Sequence, residues 1–171
     1  MIEFANQMKG EIAMYNALTA FIAAVFMFGT AIFYVLSCVE RSVLGLVFGK
    51  NKNVNEEDIR FTHASLKRLS PLLPPSNGFV IFFGNLALII QGVFREWNLI
   101  SIGIIVIYWV IMLYIILVKK IAQDVKHIKE TPNDAAIEVL TENVKRLIVQ
   151  HHLGLVANLV VVIMEFVIIL N

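Results

Sequence analysis

Apolar residues gather into four long runs along the chain, separated by polar segments. The first covers Ala17 to Val39, "ALTAFIAAVFMFGTAIFYVLSCV". The others cover Gly78 to Phe94, Leu99 to Val118 and Leu147 to Leu170. A helix crossing the hydrocarbon core needs about 20 mostly apolar residues. Each run therefore reads as a membrane span, and the second is the shortest. Only Arg95-Glu96-Trp97-Asn98 separates the second run from the third. So short a link predicts an antiparallel hairpin with Trp97 in the headgroup zone.

The polar segments carry helix signals of their own. "NVNEEDIRFTHASLKRL" offers Asn55 as an N-cap, acids in the first turn and bases in the last, as the helix dipole prefers. "SPLLPPSNG" then predicts a break before the second span. After Pro132, Asn133 or Asp134 caps a helix whose apolar residues Ile137, Leu140 and Val144 recur at helical spacing. That helix is expected to run unbroken from about Asp134 into the fourth span. The third span is expected to continue past Val118 through "KKIAQDVKHIK".

Composition agrees with a bilayer as solvent. Apolar residues make up 58% of the 171 and charged residues 16%, against roughly 45–50% and 25% in soluble domains. The mean hydropathy is +0.78. A net charge of +1 with no dense basic patch gives no reason to expect nucleic acid. The lone Cys38 excludes an internal disulfide and reads as a small packing residue. The opening "MIEFANQMKGEIAMYN" lacks a basic start and leads into an apolar run too long for a signal peptide. Basic residues then set the orientation. Arg41, Lys50, Lys52, Arg60, Lys67 and Arg68 lie between spans one and two. Lys119, Lys120, Lys126, Lys129, Lys145 and Arg146 lie between spans three and four. Of the 14 bases, only Lys9 and Arg95 fall on the other side. The positive-inside rule predicts cytoplasmic long loops, including the segment around Lys52, and non-cytoplasmic termini, with Asn171 outside.

Candidate chemistry lies in the polar residues of the spans. His151, Asn158 and Glu165 are spaced by seven and share one face of the last helix with Gly154; His152 lies about 100° around. Thr19, Thr30, Ser37 and Arg41 form a second stripe on the first span, flanked by Tyr34. The second span offers Asn85 and Gln91 on different faces, and the third offers Ser101 above Tyr108. An unpaired polar group in lipid costs several kcal/mol, so the His151–Asn158–Glu165 stripe should face protein. Asn158 is expected to bond Thr30 or Ser37 on the first span. Two readings stay open: packing glue between helices, or a functional site, since intramembrane ionisable groups often mark one. Glu165, near the span's end, is also placed to snorkel. His63, on the helix before span two, falls near the depth of His151 and His152 if that helix packs on the bundle. Two or three imidazoles there suit haem or a metal, but no ligand spacing defines a metal site. His127 is expected in solvent. No nucleophile–base pair is evident.

Three segments carry a family resemblance. "FMFGTAIFYVLSCVERSVL" places Gly29, Tyr34 and the polar pair Glu40-Arg41 at the end of span one. "FTHASLKRLSPLLP" is an amphipathic segment before span two, and "VQHHLGLVANL" opens the last helix. Together these resemble the anthrone-oxygenase-like family of small four-span membrane proteins, over most of the chain. That family often has Trp just before a His or Asn near His152, and an Arg about three residues later; Ile148 and Val149, and Leu155, stand there instead. The resemblance implies the four-span architecture and, as activity, cofactor-free oxygenation of an aromatic substrate.

The expected protein is all-α: an integral membrane four-helix antiparallel bundle with cytoplasmic helical extensions, one membrane domain over residues 1–171. Its partners are the lipid bilayer and other membrane protein subunits. The primary functional expectation is a non-catalytic subunit of a larger membrane complex. The alternative is a ligand-, quinone- or haem-binding redox module or anthrone-oxygenase-like enzyme, with His63, His151, His152, Asn158 and Glu165 at the site. A stripe used for assembly should face outward; a stripe used for binding should face inward.

Overall fold

The computed structural model describes residues 2–48 and 54–170, with side chains from residue 10 onward. Lys50, Lys52 and Asn171, which enter the orientation argument, lie outside the described residues. The described chain is all-helical: α1 Ile2–Val39, α2 Gly45–Phe48, α3 Glu56–Leu69, α4 Leu73–Phe94, α5 Leu99–Leu113, α6 Ile121–Glu130 and α7 Ile137–Leu170. A 3₁₀ turn, Arg41–Val43, follows α1, and a π-helical turn, Tyr114–Val118, extends α5. Four helical segments are long and apolar enough to cross a membrane: Gly10–Val39, Leu73–Phe94, Leu99–Val118 and Ile137–Leu170. The protein is a multi-pass integral membrane protein. Each spanning helix packs antiparallel to its neighbours: α1 on α4 and α7, and α5 on α4 and α7. Large apolar side chains such as Phe21, Val35, Val110 and Ile163 stay exposed around the bundle, where lipid is the solvent.

Contact between α1 and α7 is the most extensive in the molecule, and its register follows from spacing. Along α1 and just past its end, the buried seam positions include Thr19, Ile22, Phe26, Gly29, Phe33, Leu36 and Glu40. On α7 they include Leu140, Val144, Leu147, His151, Gly154, Asn158, Val161 and Glu165. Both series alternate steps of three and four, the repeat that keeps a seam facing its partner in a left-handed bundle.

The hairpin between α4 and α5 is as tight as expected. Glu96 and Trp97 both take positive φ, 51° and 54°, and the Trp97 amide donates to Gly92 O at 2.8 Å to close the turn. Asn98 caps α5 by accepting from the Ser101 amide at 2.9 Å. Trp97 is 45% exposed. Asn55 caps α3 as its sequence suggested, accepting from the Glu57 amide. Ile59, Thr62, His63 and Leu66 bury one face of α3, at the i, i+3, i+4, i+7 spacing of an amphipathic helix.

Four expectations need correction. The third span does not run on as one helix, because Lys120 sits in the left-handed region (φ 53°, ψ 46°) and α6 starts anew at Ile121. The break lets α6 bury Asp124 and Ile128. Pro74 and Pro75 do not stop a helix but open α4 in its first turn, where the missing N–H costs nothing. Only Ser70–Leu72 breaks the chain there. Neither Asn133 nor Asp134 caps α7, which begins at Ile137. Instead, Arg60 Nη1 donates to Asn133 O at 3.0 Å and Ala135 O at 3.2 Å, and Lys67 Nζ to Thr131 O at 2.8 Å. These bonds satisfy the connecting carbonyls from α3. Cys38 is exposed, one turn past the lipid-facing Tyr34, rather than packed. From Ile137 to Leu170 the last helix is continuous through Arg146–Gly154, as expected.

Candidate functional site

The polar residues of α7 all face inward. His151 and Glu165 are 0% exposed and Asn158 is 2% exposed. At about 1.5 Å rise per residue, steps of seven separate them by roughly 10 Å each along the bundle. Each has a different environment.

His151 lies nearest the end that carries α3 and α6. Its Nδ1 meets Glu40 Oε1 at 2.5 Å, and Glu40 is also 0% exposed. With Glu40 ionised, Nδ1–H is the donor. Glu40 Oε2 and His151 Nε2 are buried without partners among the described residues. His151 also forms part of the wall of a cavity of about 220 Å³ with Phe33, Leu73, Pro74, Asn77 and Val125. A second cavity of about 250 Å³ shares Phe33, Pro74 and Asn77 and reaches Gln150 and Gly154.

Asn158 corrects a prediction. Its amide donates to Gly154 O, one turn back on its own helix, at 2.7 Å, not to Thr30 or Ser37. The hydroxyls of Thr30 and Ser37 do the same, bonding Phe26 O at 2.9 Å and Phe33 O at 3.0 Å. A carbonyl four residues back is always in reach, so these groups need no neighbouring helix. What Asn158 meets across the interface is Gly29, where a Cβ would lie 2.5 Å from Asn158 Oδ1. Gly154 likewise leaves room for the Phe33 ring, within 2.8 Å of where its Cβ would stand.

Glu165 does not snorkel. It accepts a hydrogen bond from Gln91 Nε2 at 2.6 Å, and the same amide donates to Thr19 Oγ1 at 3.2 Å. Three helices, α1, α4 and α7, are joined at this point. Glu165 Oε1 and Gln91 Oε1 have no partner among the described residues. One turn beyond Gln91, Arg95 lies over the Tyr15 ring at 5.6 Å and closes that end.

The stripe assigned to α1 is right only at Thr19. Arg41 is exposed, and Thr30 and Ser37 are only half-buried. The inward line passes through their immediate neighbours, Gly29, Leu36 and Glu40, about 100° around. Glu40 is the site residue that sequence reasoning missed as a partner. Its signal was depth: it closes the same end of α1 from which His151 enters α7.

The imidazoles have separate environments. His63 is buried on α3 with neither ring nitrogen partnered among the described residues; burial lowers its pKa from 6.5, the nearby Asn133 opposes that shift and the charge of Lys67 adds to it. His152 bonds Ile148 O on its own helix at 2.8 Å and packs against Phe48. His127 is exposed. Among the described residues no three His, Cys, Asp or Glu side chains form a metal-holding group. Asn85 bonds Ile81 O within α4, while Ser101 and Tyr108 are buried on α5.

Fold and site together define a four-helix membrane bundle with a buried carboxylate–imidazole pair and a buried carboxylate–amide–hydroxyl cluster on one internal line. Protein-family models, curated proteins and solved structures were all searched, and none matches the chain.

Proposed function

We propose that the protein is a membrane module that holds a small hydrophobic ligand beside the Glu40–His151 pair. The observation that carries this reading is a buried imidazole tied on one nitrogen to a carboxylate, unpartnered on the other, and set in a cavity wall. A carboxylate on Nδ1 fixes the tautomer and the orientation of the ring. Nε2 then accepts a proton or hydrogen bond from a ligand hydroxyl, or donates to a carbonyl when protonated. The rest of the wall is mainly apolar, with Asn77 as a further polar group. A flat apolar molecule bearing a hydroxyl or carbonyl, such as a phenol or quinone, has the matching form. The inward rotation of the stripe favours this reading over a non-catalytic subunit that uses the stripe to pack against partners.

The protein is best tested after gentle purification, by its optical spectrum and by mass analysis of an organic extract. One hydrophobic small molecule per chain is expected, lost in His151→Leu and reduced in Glu40→Gln, and retained in Ser37→Ala. A partner protein at fixed stoichiometry, with no small molecule in the extract, would establish the subunit reading instead. Oxygen consumption with an added aromatic phenol would extend the proposal to the activity of the anthrone-oxygenase-like family.

The orientation belongs to the same proposal. Arg41, Arg60, Lys67, Arg68 and the six bases from Lys119 to Arg146 gather at the end that carries α3 and α6; Arg95 lies at the other. The positive-inside rule makes the first end cytoplasmic.

A further inference from the structure

A further cavity, of about 490 Å³, lies away from the polar line, where α5 gives way to α6 beside α7. Lys119, Lys120, Lys145 and Arg146 line it, with Asp124 and Glu142 as the acids. The acids are already engaged. Arg146 Nε donates to Glu142 at 2.9 Å and its Nη1 lies 3.6 Å from Asp124. Gln150 Nε2 donates to Asp124 Oδ2 at 2.5 Å and to Lys119 O at 2.9 Å. Lys119 Nζ sits over the Tyr114 ring at 5.5 Å. Lys120 and Lys145 have no carboxylate partner among the described residues. The left-handed turn at Lys120 that ends α5 puts its side chain on the cavity wall.

The other border of the cavity is apolar. Val118 and Val149 line it, and Leu117 and Val118 are 66% and 61% exposed. On α7, Val156 and Ile163 follow Val149 at steps of seven, on the same face and exposed. A cationic recess thus opens onto a lipid-facing apolar stripe. We infer that this recess binds the phosphate of an anionic diacyl phospholipid, with Lys120 and Lys145 at the headgroup and an acyl chain along Val149, Val156 and Ile163. Basic pockets at the membrane border between helices take such headgroups. A free phosphate would use the lysines but not the apolar stripe, which is why the lipid is the occupant chosen here. The inference does not depend on the ligand proposed beside His151.

The test measures retention of phosphatidylglycerol and of phosphatidylcholine by the intact protein in mixed micelles, read by native mass spectrometry. One phosphatidylglycerol per chain is expected, held in preference to phosphatidylcholine. The pair Lys120→Gln with Lys145→Gln should weaken it by roughly thirtyfold, from the usual contribution of two bases near a lipid surface. The control pair Lys126→Gln with Lys129→Gln removes equal charge from exposed positions of α6 that do not line the cavity, and should leave retention unchanged. Thermal unfolding of both variants in the same micelles checks that the fold is intact. Equal weakening by the two pairs would overturn the proposal, since only net charge would then matter. Equal retention of the two lipids would overturn it too. So would binding of inorganic phosphate alone, lost in the Lys120/Lys145 pair, with no lipid retained.

Discussion

At the scale of single residues, burial separates groups that the sequence presents as equals. His63 and His127 both lie on helices outside the spans, yet one is buried and the other exposed. Burial is the largest cause holding the His63 pKa below 6.5, and its linkage to stability has a definite sign. Above pH 6.5 the imidazole is neutral in folded and unfolded chains alike. Below that value the unfolded chain takes up the proton first. Stability therefore falls from pH 6.5 down to the folded pKa, by at most about 1.4 kcal/mol per pH unit from this group. It changes no further once both states are protonated. Denaturant unfolding of wild type and His63→Gln across pH 5 to 8 should show the variant with the flatter profile in the acid range; parallel profiles would mean that His63 is not the group responsible.

At the scale of elements, the α1–α7 seam depends on what each helix leaves bare. Asn158 is held by its bond to Gly154 O, so its amide has little freedom to yield. A methyl group at position 29 would stand 2.5 Å from Asn158 Oδ1, 3.0 Å from its Cγ and 3.2 Å from Val80 Cγ1. Gly29→Ala is expected to destabilise the bundle by roughly 1–3 kcal/mol, the usual range for overpacking. Truncating the amide with Asn158→Ala should restore most of that loss in the double variant. Thermal unfolding in detergent measures both, and a double variant no more stable than Gly29→Ala would place the strain elsewhere. The seam also explains why the polar groups of α7 act as one set: residues seven apart keep the same seam position, so one rotation buries all three.

At the scale of the whole molecule, the bundle has two chemically different ends. One carries α3, α6 and most of the bases; the other carries the tight turn at Trp97. Orientation is testable in intact cells with Cys38→Ala as background. An impermeant maleimide should reach Leu170→Cys, a position 83% exposed, without permeabilisation. It should reach Glu57→Cys, on α3, only after permeabilisation. The opposite pattern would reverse the proposed orientation and place the Lys120 recess in the outer leaflet.

Sequence alone determined the spans, the hairpin, the continuous last helix and the inward face of His151, Asn158 and Glu165. All of these follow from local periodicity and from the cost of polar groups in lipid, neither of which needs a partner to be known. It did not determine what those residues touch. Thr30 and Ser37 looked like partners because they are polar, but a hydroxyl in a helix has its own i−4 carbonyl within reach. Glu40, one residue from the exposed Arg41, became the partner of His151 because packing of α1 on α7 set both their depth and their rotation. The break at Lys120 likewise escaped the sequence, since no Gly or Pro marks it. Only the tertiary structure decided these points, because a hydrogen bond between helices is fixed by relative rotation and register, which no single helix contains.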